Sequence, residues 1–109
     1  MKPIPKRLLI HSAQLMEVKQ DIWQSETLQH IADLRHIRIE PSSKLATDKQ
    51  NRQITLSAVL FFDCRSSTPK RITFAHGQKI IWDGAEYRIE IIEAIYDDRQ
   101  LHHYELGLV

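Results

Sequence analysis

The chain has 109 residues, of which 42% are apolar and 27% are charged, and its formal charge is +1. This length fits one domain spanning residues 1–109, because a split would leave two fragments too small to bury good cores. Broad affinity for duplex DNA usually needs a clear basic excess, which 15 basic and 14 acidic residues do not provide. Cys64, the single cysteine, excludes an intrachain disulfide and is typical of a reducing compartment.

The N-terminal segment predicts an extended arm over residues 1–7. Pro3 and Pro5 fix extended backbone dihedrals and remove two hydrogen-bond donors. The arm is either a free end or a segment that reaches a neighbouring subunit, which makes both prolines candidate subunit contacts. The apolar run Leu8–Ile10 is too short for a signal peptide, and no stretch has the length needed to cross a bilayer. We therefore expect a soluble protein without membrane association.

Trp23 is a further candidate subunit contact. It stands beside Ile22 in the polar stretch KQDIWQSE. An aromatic side chain in such a stretch either covers the core or serves as a contact hot spot, and the sequence alone favours neither.

The following segment fits two local structures. Its apolar residues recur at helical spacing after Ser25, a residue type that caps helices well, so an amphipathic helix is one interpretation of residues 26–34. A strand is the other, and the pattern does not decide between them. For residues 35–40 a strand is favoured, and it would end at Pro41.

Residues 42–53 form a polar run that predicts a long loop. A loop of this length inside a compact domain is usually functional or disordered. It is therefore either a mobile connection or a projecting loop that becomes ordered on assembly. Its candidate residues comprise three cations, one acid and one leucine: Lys44, Leu45, Asp48, Lys49 and Arg52.

The second half of the chain predicts strands. Residues 54–64 alternate with an unbroken apolar face, which is typical of a core strand. The Asp-Gly pair at 83–84 predicts a tight hairpin turn. Beyond it, the apolar phase slips between residues 91 and 92, where we expect a β-bulge. A turn at 97–100 then leads to a final strand, residues 101–109, so the apolar C-terminus is expected to be anchored in the sheet.

No pattern predicts an active site or a metal centre. His102 and His103 are neighbours on the final strand, so we expect them to point to opposite faces, where they could not chelate one ion together. Cys64 ends an apolar face and is interpreted as an inert core residue. The chain also has no Gly-rich phosphate loop and no Ser-centred elbow. We therefore assign no catalytic residue, no metal ligand and no cofactor, and expect a protein that is not an enzyme.

Most of the chain resembles the minor capsid proteins of tailed phages and prophages of Gram-positive bacteria. The stretches that carry the resemblance are KPIPKRLLIHS, IRIEPSSKLATDKQNRQITLSAVLFFDCRSSTP and ITFAHGQKIIWDGAEYRIEIIEAIYDDRQLHHYELGLV. Residues 19–34 match least. More distantly, GQKIIWDGAEYRIEIIEAIY followed by a terminal strand resembles phage head-closure and head–tail connector proteins.

This resemblance implies a fold. It is a mainly β protein in which a small, strongly bent antiparallel sheet closes into a barrel of about six strands, with one long polar loop and little helix. In such a fold residues 26–40 would be a strand.

The resemblance also implies a role. The protein would assemble as a homo-oligomeric ring under the phage portal and adaptor, close the DNA channel and accept the tail-completion proteins. Residues 42–53 would take the place of a channel-closing loop and could touch packaged DNA without reading its sequence. Alone the protein would be a monomer or a weak oligomer. It would reside in the host cytoplasm before assembly and at the head–tail junction of the virion afterwards.

The alternative is a small OB-like barrel that binds single-stranded nucleic acid or another ligand. Such a protein would need aromatic side chains along one exposed face of the sheet, beside a basic groove. The aromatic residues available on strands are Phe61, Tyr87, Tyr96 and Tyr104.

Overall fold

The structure is a computed structural model that describes residues 2–48 and 50–109. Strands account for most of these residues, and a 3-10 turn at Lys6–Leu8 precedes the first strand. The strands are β1 (His11–Gln20), β2 (Glu26–Pro41), β3 (Leu45–Thr47), β4 (Gln53–Thr55), β5 (Ala58–Asp63), β6 (Lys79–Trp82), β7 (Ala85–Asp97) and β8 (Gln100–Leu108). The predicted mainly β class is confirmed. Within the described ranges no helix has the length and hydrophobicity needed to traverse a membrane.

Six of the strands form one closed barrel in the order β1-β2-β5-β8-β7-β6. Every neighbouring pair is antiparallel. The ring is completed where Gln14–Met16 of β1 pair with Lys79–Ile81 of β6. Closure pairs the strand edges within the barrel, which removes the exposed edges of an open sheet. This confirms the predicted bent sheet that closes as a six-stranded barrel.

Apolar side chains from all six strands fill the barrel interior. In this interior, the ring of Phe74 packs edge-on against Phe62 and against Tyr104, with ring centroids 5.4 and 5.3 Å apart. Leu106 and Leu108 of the last strand are fully buried, so the apolar C-terminus is anchored as predicted. The other apolar side chains with no more than 1% exposure are Leu15, Leu34, Ile37, Leu60, Ile80 and Ile89.

The predicted hairpin turn and β-bulge are both present. Asp83 and Gly84 have φ values of 51° and 76°, as the mirror-image turns of two-residue hairpins require. On β7, Ile89 pairs with Leu108 and Ile91 with the adjacent Gly107, so Glu90 is the extra residue of a bulge. The inward phase therefore changes there from Ile89 to Ile92, which explains the slip in the apolar pattern.

Residues 26–34 are a strand, as the resemblance implied, and the helical interpretation is wrong. They form the first half of β2 and pair along their whole length with β1. The predicted single strand over 54–64 is interrupted at Leu56 and Ser57. There the backbone changes partners, since the Leu56 N–H donates to the Lys44 carbonyl and the Ser57 N–H donates to the Leu108 carbonyl.

The segment 42–53 contains more regular structure than the expected long loop. Its β3 residues pair with β4 in a separate two-stranded sheet, with Leu45 opposite Thr55 and Thr47 opposite Gln53. Of the predicted arm, Met1 lies outside the described residues. Residues 2–7 differ from a fully extended arm, because the chain turns into the 3-10 segment at Lys6. Hydrogen bonds within the hairpin order the first segment, and long-range hydrogen bonds to the barrel order the second.

Candidate assembly surfaces

The β1–β2 hairpin projects beyond the barrel. β6 accompanies β1 only as far as Met16, and β5 accompanies β2 only from Arg38 onward. Every residue from 19 to 31 is exposed, so this part of the hairpin packs on no other element. Two paired strands without a third are marginal on their own in water. The projecting half is therefore suited to making contacts outside the chain.

The tip of this hairpin is held by one aspartate. The Asp21 carboxylate accepts hydrogen bonds from the N–H groups of Trp23 and Ser25 at 2.8 and 2.9 Å. The Gln24 N–H donates to the Asp21 carbonyl, and Gln24 has a φ of 60°. This is a three-residue loop built from a type I turn and a left-handed residue. Trp23, the predicted contact residue, is thus presented on a tied turn with 80% of its surface exposed.

The β3–β4 hairpin uses the same device. The Asp48 carboxylate accepts hydrogen bonds from the N–H groups of Gln50 and Arg52, both at 2.9 Å, and Asn51 has a φ of 61°. The hydrogen bond from the Arg52 N–H is the main cause that lowers the pKa of Asp48 below its usual 3.8. Desolvation opposes it, and the Gln50 N–H and the Arg52 guanidinium add to it. Asp48 is therefore a structural residue of the turn.

Of the predicted loop residues, the structure brings Asp48 and Arg52 together. The Arg52 Nε lies 3.0 Å from the Asp48 Oδ2. Lys44 and Leu45 are exposed on the hairpin, Leu45 to 61%. Lys49 lies outside the described residues. The positive charge predicted for this segment is thus partly neutralised within the hairpin by the Asp48–Arg52 pair.

Leu56 fixes the β3–β4 hairpin on the outer wall of the barrel. Leu56 is only 6% exposed, and its side chain covers Gly107 of β8. A Cβ atom at position 107 would lie 3.0 Å from the Leu56 Cδ2 and 3.0 Å from the Ile91 Cβ. Gly107 is therefore present for close packing, and the hairpin is seated at this point.

The N-terminal arm is tied to the barrel by Asp63, the last residue of β5. Asp63 is fully buried. Its Oδ1 accepts hydrogen bonds from the N–H groups of Arg65 and Ser66 at 2.8 and 3.0 Å. Its Oδ2 accepts one from the Ile4 N–H at 2.8 Å. One buried carboxylate thus joins the β5 end to the arm.

The expectation that His102 and His103 point to opposite faces is wrong. Their Nδ1 atoms lie 2.7 Å apart. The cause is a second bulge, because Tyr96 pairs with Leu101 and Ile95 with His103, which leaves His102 as the extra residue and breaks the alternation.

The two rings continue a hydrogen-bonded chain. The His102 Nε2 lies 2.6 Å from the Lys2 carbonyl oxygen and therefore donates to it. The His103 Nε2 lies 2.8 Å from the Glu105 Oε2. Through these contacts the two rings link the arm to β8.

Pro3 and Pro5 border an apolar groove of about 630 Å³ between the arm and the barrel wall. Pro3 is half-buried and Pro5 is exposed. Leu8 of the arm and Phe61 on the outer face of β5 also line it, and the arm is further secured by the Arg38 guanidinium, which donates to the Leu8 carbonyl at 3.3 Å.

The strand aromatics do not form a nucleic-acid stacking platform. Tyr87 and Tyr104 pack against the core, Phe61 lies in the groove beside the arm, and Tyr96 is exposed near the β7–β8 turn. Desolvation raises the pKa of Tyr104. Because the four side chains share no exposed face, the alternative of an OB-like ligand-binding barrel receives no support from this arrangement.

Cys64 is half-buried at the end of β5, and desolvation followed by the Asp63 charge raises the pKa of its thiol. Such a thiol is a poor nucleophile at neutral pH. Across residues 2–48 and 50–109, no group of three or more His, Cys, Asp or Glu side chains is placed to hold a metal ion.

Sequence reasoning missed the two aspartate-led turns, although a signal was present. DIWQS (21–25) and DKQNR (48–52) both carry an aspartate three residues before an amide side chain. Aspartate accepts hydrogen bonds from N–H groups further along a turn, and asparagine tolerates a left-handed backbone well. The spacing could have predicted both turns.

Comparison with protein families gives a match that covers nearly the whole chain. The model of the family described as "Minor capsid protein" matches residues 5–108. No curated protein and no solved structure matches significantly. The matched range includes the whole barrel, the β1–β2 and β3–β4 hairpins and residues 5–7 of the arm. The chain therefore belongs to the phage minor capsid protein family, whose members are structural components of the capsid.

Proposed function

We propose that this protein is a head-closure subunit, which assembles as a ring under the portal and adaptor, closes the DNA channel and receives the tail. The observation that carries the proposal is a closed barrel from which the β1–β2 hairpin projects, while the β3–β4 hairpin and the arm lie on its wall. A barrel with paired edges cannot grow by adding strands to its wall, so contacts with neighbours fall to the hairpins and the arm.

The projecting half of β2 offers the kind of edge that such an assembly can use. Residues 26–34 pair with β1 on one side, whereas the pairing of β2 with β5 begins only at Arg38. An unpaired strand edge can accept an extended segment of another protein through backbone hydrogen bonds. Portal, adaptor and tail-completion proteins are the partners that this role requires.

The β3–β4 hairpin is the element that we assign to the DNA channel. In sequence the segment 42–53 carries the cations Lys44, Lys49 and Arg52. Lys44 lies at the base of the hairpin, where its carbonyl accepts a hydrogen bond from Leu56, and the Asp48 carboxylate pairs with Arg52 at the turn. Modest positive charge favours contact with phosphates without selecting a sequence. Because three hydrogen bonds to the Asp48 carboxylate hold the turn rigid, movement on assembly would swing the hairpin as one unit about its base at Leu56.

A structural role accounts for the absence of any assigned catalytic or cofactor residue. Family membership in a class of capsid proteins supports a protein that acts by shape and contact. Each subunit contact can be weak, because a portal that already displays symmetric sites raises the effective concentration of neighbouring copies.

Sedimentation velocity with and without the portal complex of the same phage tests this function. We expect a monomer or weak oligomer alone and a discrete ring-sized increment on the portal. A stable dimer that persists in the presence of the portal complex would contradict the proposal. Heads assembled with the double variant K44A/K49A should also lose DNA more readily than heads with wild-type protein, whereas S43A serves as a neighbouring control without a charge change.

A further inference from the structure

Two unpartnered apolar features lie at opposite ends of the molecule. One is the hairpin tip, defined as Ile22 and Trp23, whose side chains are 88% and 80% exposed. The other is the arm groove, lined by Pro3, Ile4, Pro5, Leu8 and Phe61. We propose that the hairpin tip of one copy docks in the arm groove of the next copy. This inference rests on the proposed ring in that it names the contact between its subunits.

The tip is organised in advance for such a contact. Trp23 sits on the turn that Asp21 closes with two hydrogen bonds, so its backbone is already fixed before binding. A tryptophan on a rigid loop loses little conformational freedom when it is buried, and tryptophan is among the most frequent contact hot spots.

The groove is equally well defined. The Ile4 N–H donates to Asp63 and the Lys2 carbonyl accepts from His102, which holds the arm at a fixed distance from the β5 wall. The groove volume of about 630 Å³ falls within the range of sites that enclose small organic groups. It can therefore receive an indole and an isoleucine side chain together.

Charge complementarity identifies a second copy as the occupant. Residues 17–33, which include the tip, carry four carboxylates and one lysine. Histidines aside, the charged residues that line the groove are Lys2, Arg38 and Glu40, and the arm carries two further cations, Lys6 and Arg7. The formal charge is therefore −3 for the tip segment and +1 for the groove lining, so the two surfaces have opposite signs. Such complementarity guides orientation and encounter between surfaces.

The two features cannot meet within one chain. β2 runs from Glu26 at the tip to Arg38 beside the groove, which is about 40 Å at 3.3 Å per residue. The molecule is 48 Å along its longest axis. A contact between different patches of identical copies is heterologous, and it generates a ring when the rotation between copies closes.

The contact is too small to hold free copies together, so it would need the portal to align them. An aromatic side chain buries about 150–250 Å², so a tip of two side chains stays far below the roughly 1,200–2,000 Å² of a stable interface. The contact should be weak between free copies and effective when a portal aligns them.

Photo-crosslinking maps the contact directly. A benzoylphenylalanine probe replaces Trp23 in mixed unlabelled and ¹⁵N-labelled protein, both at high concentration alone and on portal complexes, and mass spectrometry identifies the crosslinked peptides. We expect crosslinks between differently labelled copies that join position 23 to residues 2–8 or Phe61. A probe at Leu45, which is 61% exposed on the β3–β4 hairpin, should not give them. W23A should weaken association between copies by roughly thirtyfold, as truncation of a hot spot does.

The outcomes separate this contact from the proposed function. If a ring forms on the portal but the probe crosslinks only to portal, to another tip or to no groove residue, the docking contact is refuted and the head-closure role stands. If tip-to-groove crosslinks form between copies but no ring assembles on the portal, the contact stands and the head-closure role is refuted. If neither forms, both are refuted.

Discussion

Replacing Asp63 with asparagine should release the N-terminal arm while leaving the barrel folded. The Asp63 carboxylate accepts three hydrogen bonds, two on Oδ1 from Arg65 and Ser66 and one on Oδ2 from Ile4. An asparagine of the same shape has one oxygen, which can keep the two neighbouring bonds in the turn. Its amide group would then face the Ile4 N–H, and two donors cannot bond to each other.

The expected loss of stability comes from the single hydrogen bond between the Ile4 N–H and Asp63. A hydrogen bond to a charged group contributes about 1.5–3 kcal/mol, and Asp63 is fully buried, so water does not replace the lost acceptor. If the arm stays in place, the free energy of unfolding should fall by about this amount, which is of the order of 6–12 °C in melting temperature for a domain near 100 residues. If the arm detaches, part of the loss is avoided and the arm amides become exposed instead.

Urea denaturation and amide hydrogen exchange measure both effects. In D63N we expect the Ile4 amide to lose its protection while the Arg65 and Ser66 amides keep theirs. D98N is the matched control, because it makes the same change at an exposed turn residue, and exposed substitutions of this kind stay within about 0.5 kcal/mol. Unchanged protection of Ile4 together with unchanged stability would refute the role assigned to Asp63.

Three further predictions concern the hairpin seat, its turn and the cysteine. G107A should destabilise the protein by about 1–3 kcal/mol, because the new Cβ overpacks against Leu56. Amide hydrogen exchange in the β3–β4 hairpin should become faster, and unchanged exchange would contradict this prediction. The pKa of Asp48 is lowered in the folded protein, so its contribution to the stability of the hairpin should be present above about pH 3.8 and lost as the pH falls through the lower folded pKa. The amide chemical shifts of residues 50–52 should follow this titration, and the dependence should disappear in D48N. The pKa of the Cys64 thiol is raised, so its alkylation by iodoacetamide at pH 8 should be slower than that of a cysteine in an unstructured peptide. The alkylation rate should still increase above pH 9.0. A rate equal to that of the peptide would count against burial of the thiol.

The predictable parts of the fold are those where burial leaves a pattern. The final strand alternates because Leu106 and Leu108 face the interior, and the 83–84 turn is marked by a residue type that tolerates positive φ. The bulge at Glu90 was visible as a slip because both flanking segments bury apolar side chains.

Residues 26–34 show why local patterns failed elsewhere. This half of β2 is exposed along nearly its whole length, so neither face of the strand is selected for apolar residues. Leu28 and Ile31, which are 40% and 41% exposed, then stand three residues apart without marking a helix face. Only a long-range fact, the pairing with β1, decides the structure.

Two contacts of the candidate surfaces could not be predicted either, because they also depend on long-range pairing between strands and segments. His102 meets His103 because of a bulge that pairs Tyr96 with Leu101, and Asp63 meets Ile4 across 59 positions of the chain. Neither pairing leaves a local sequence signal. For Trp23 the sequence left two interpretations open, a cover over the core and a contact residue, and its 80% exposure now excludes the first. The aspartate that holds its turn was not recognised.

Cryo-electron microscopy of the virion neck tests the head-closure role most directly. We predict a ring of six-stranded barrels between portal and tail, with each projecting β1–β2 hairpin reaching the adjacent barrel and the β3–β4 hairpins facing the channel. Density for this barrel only in the head shell, with none in the neck, would contradict the role.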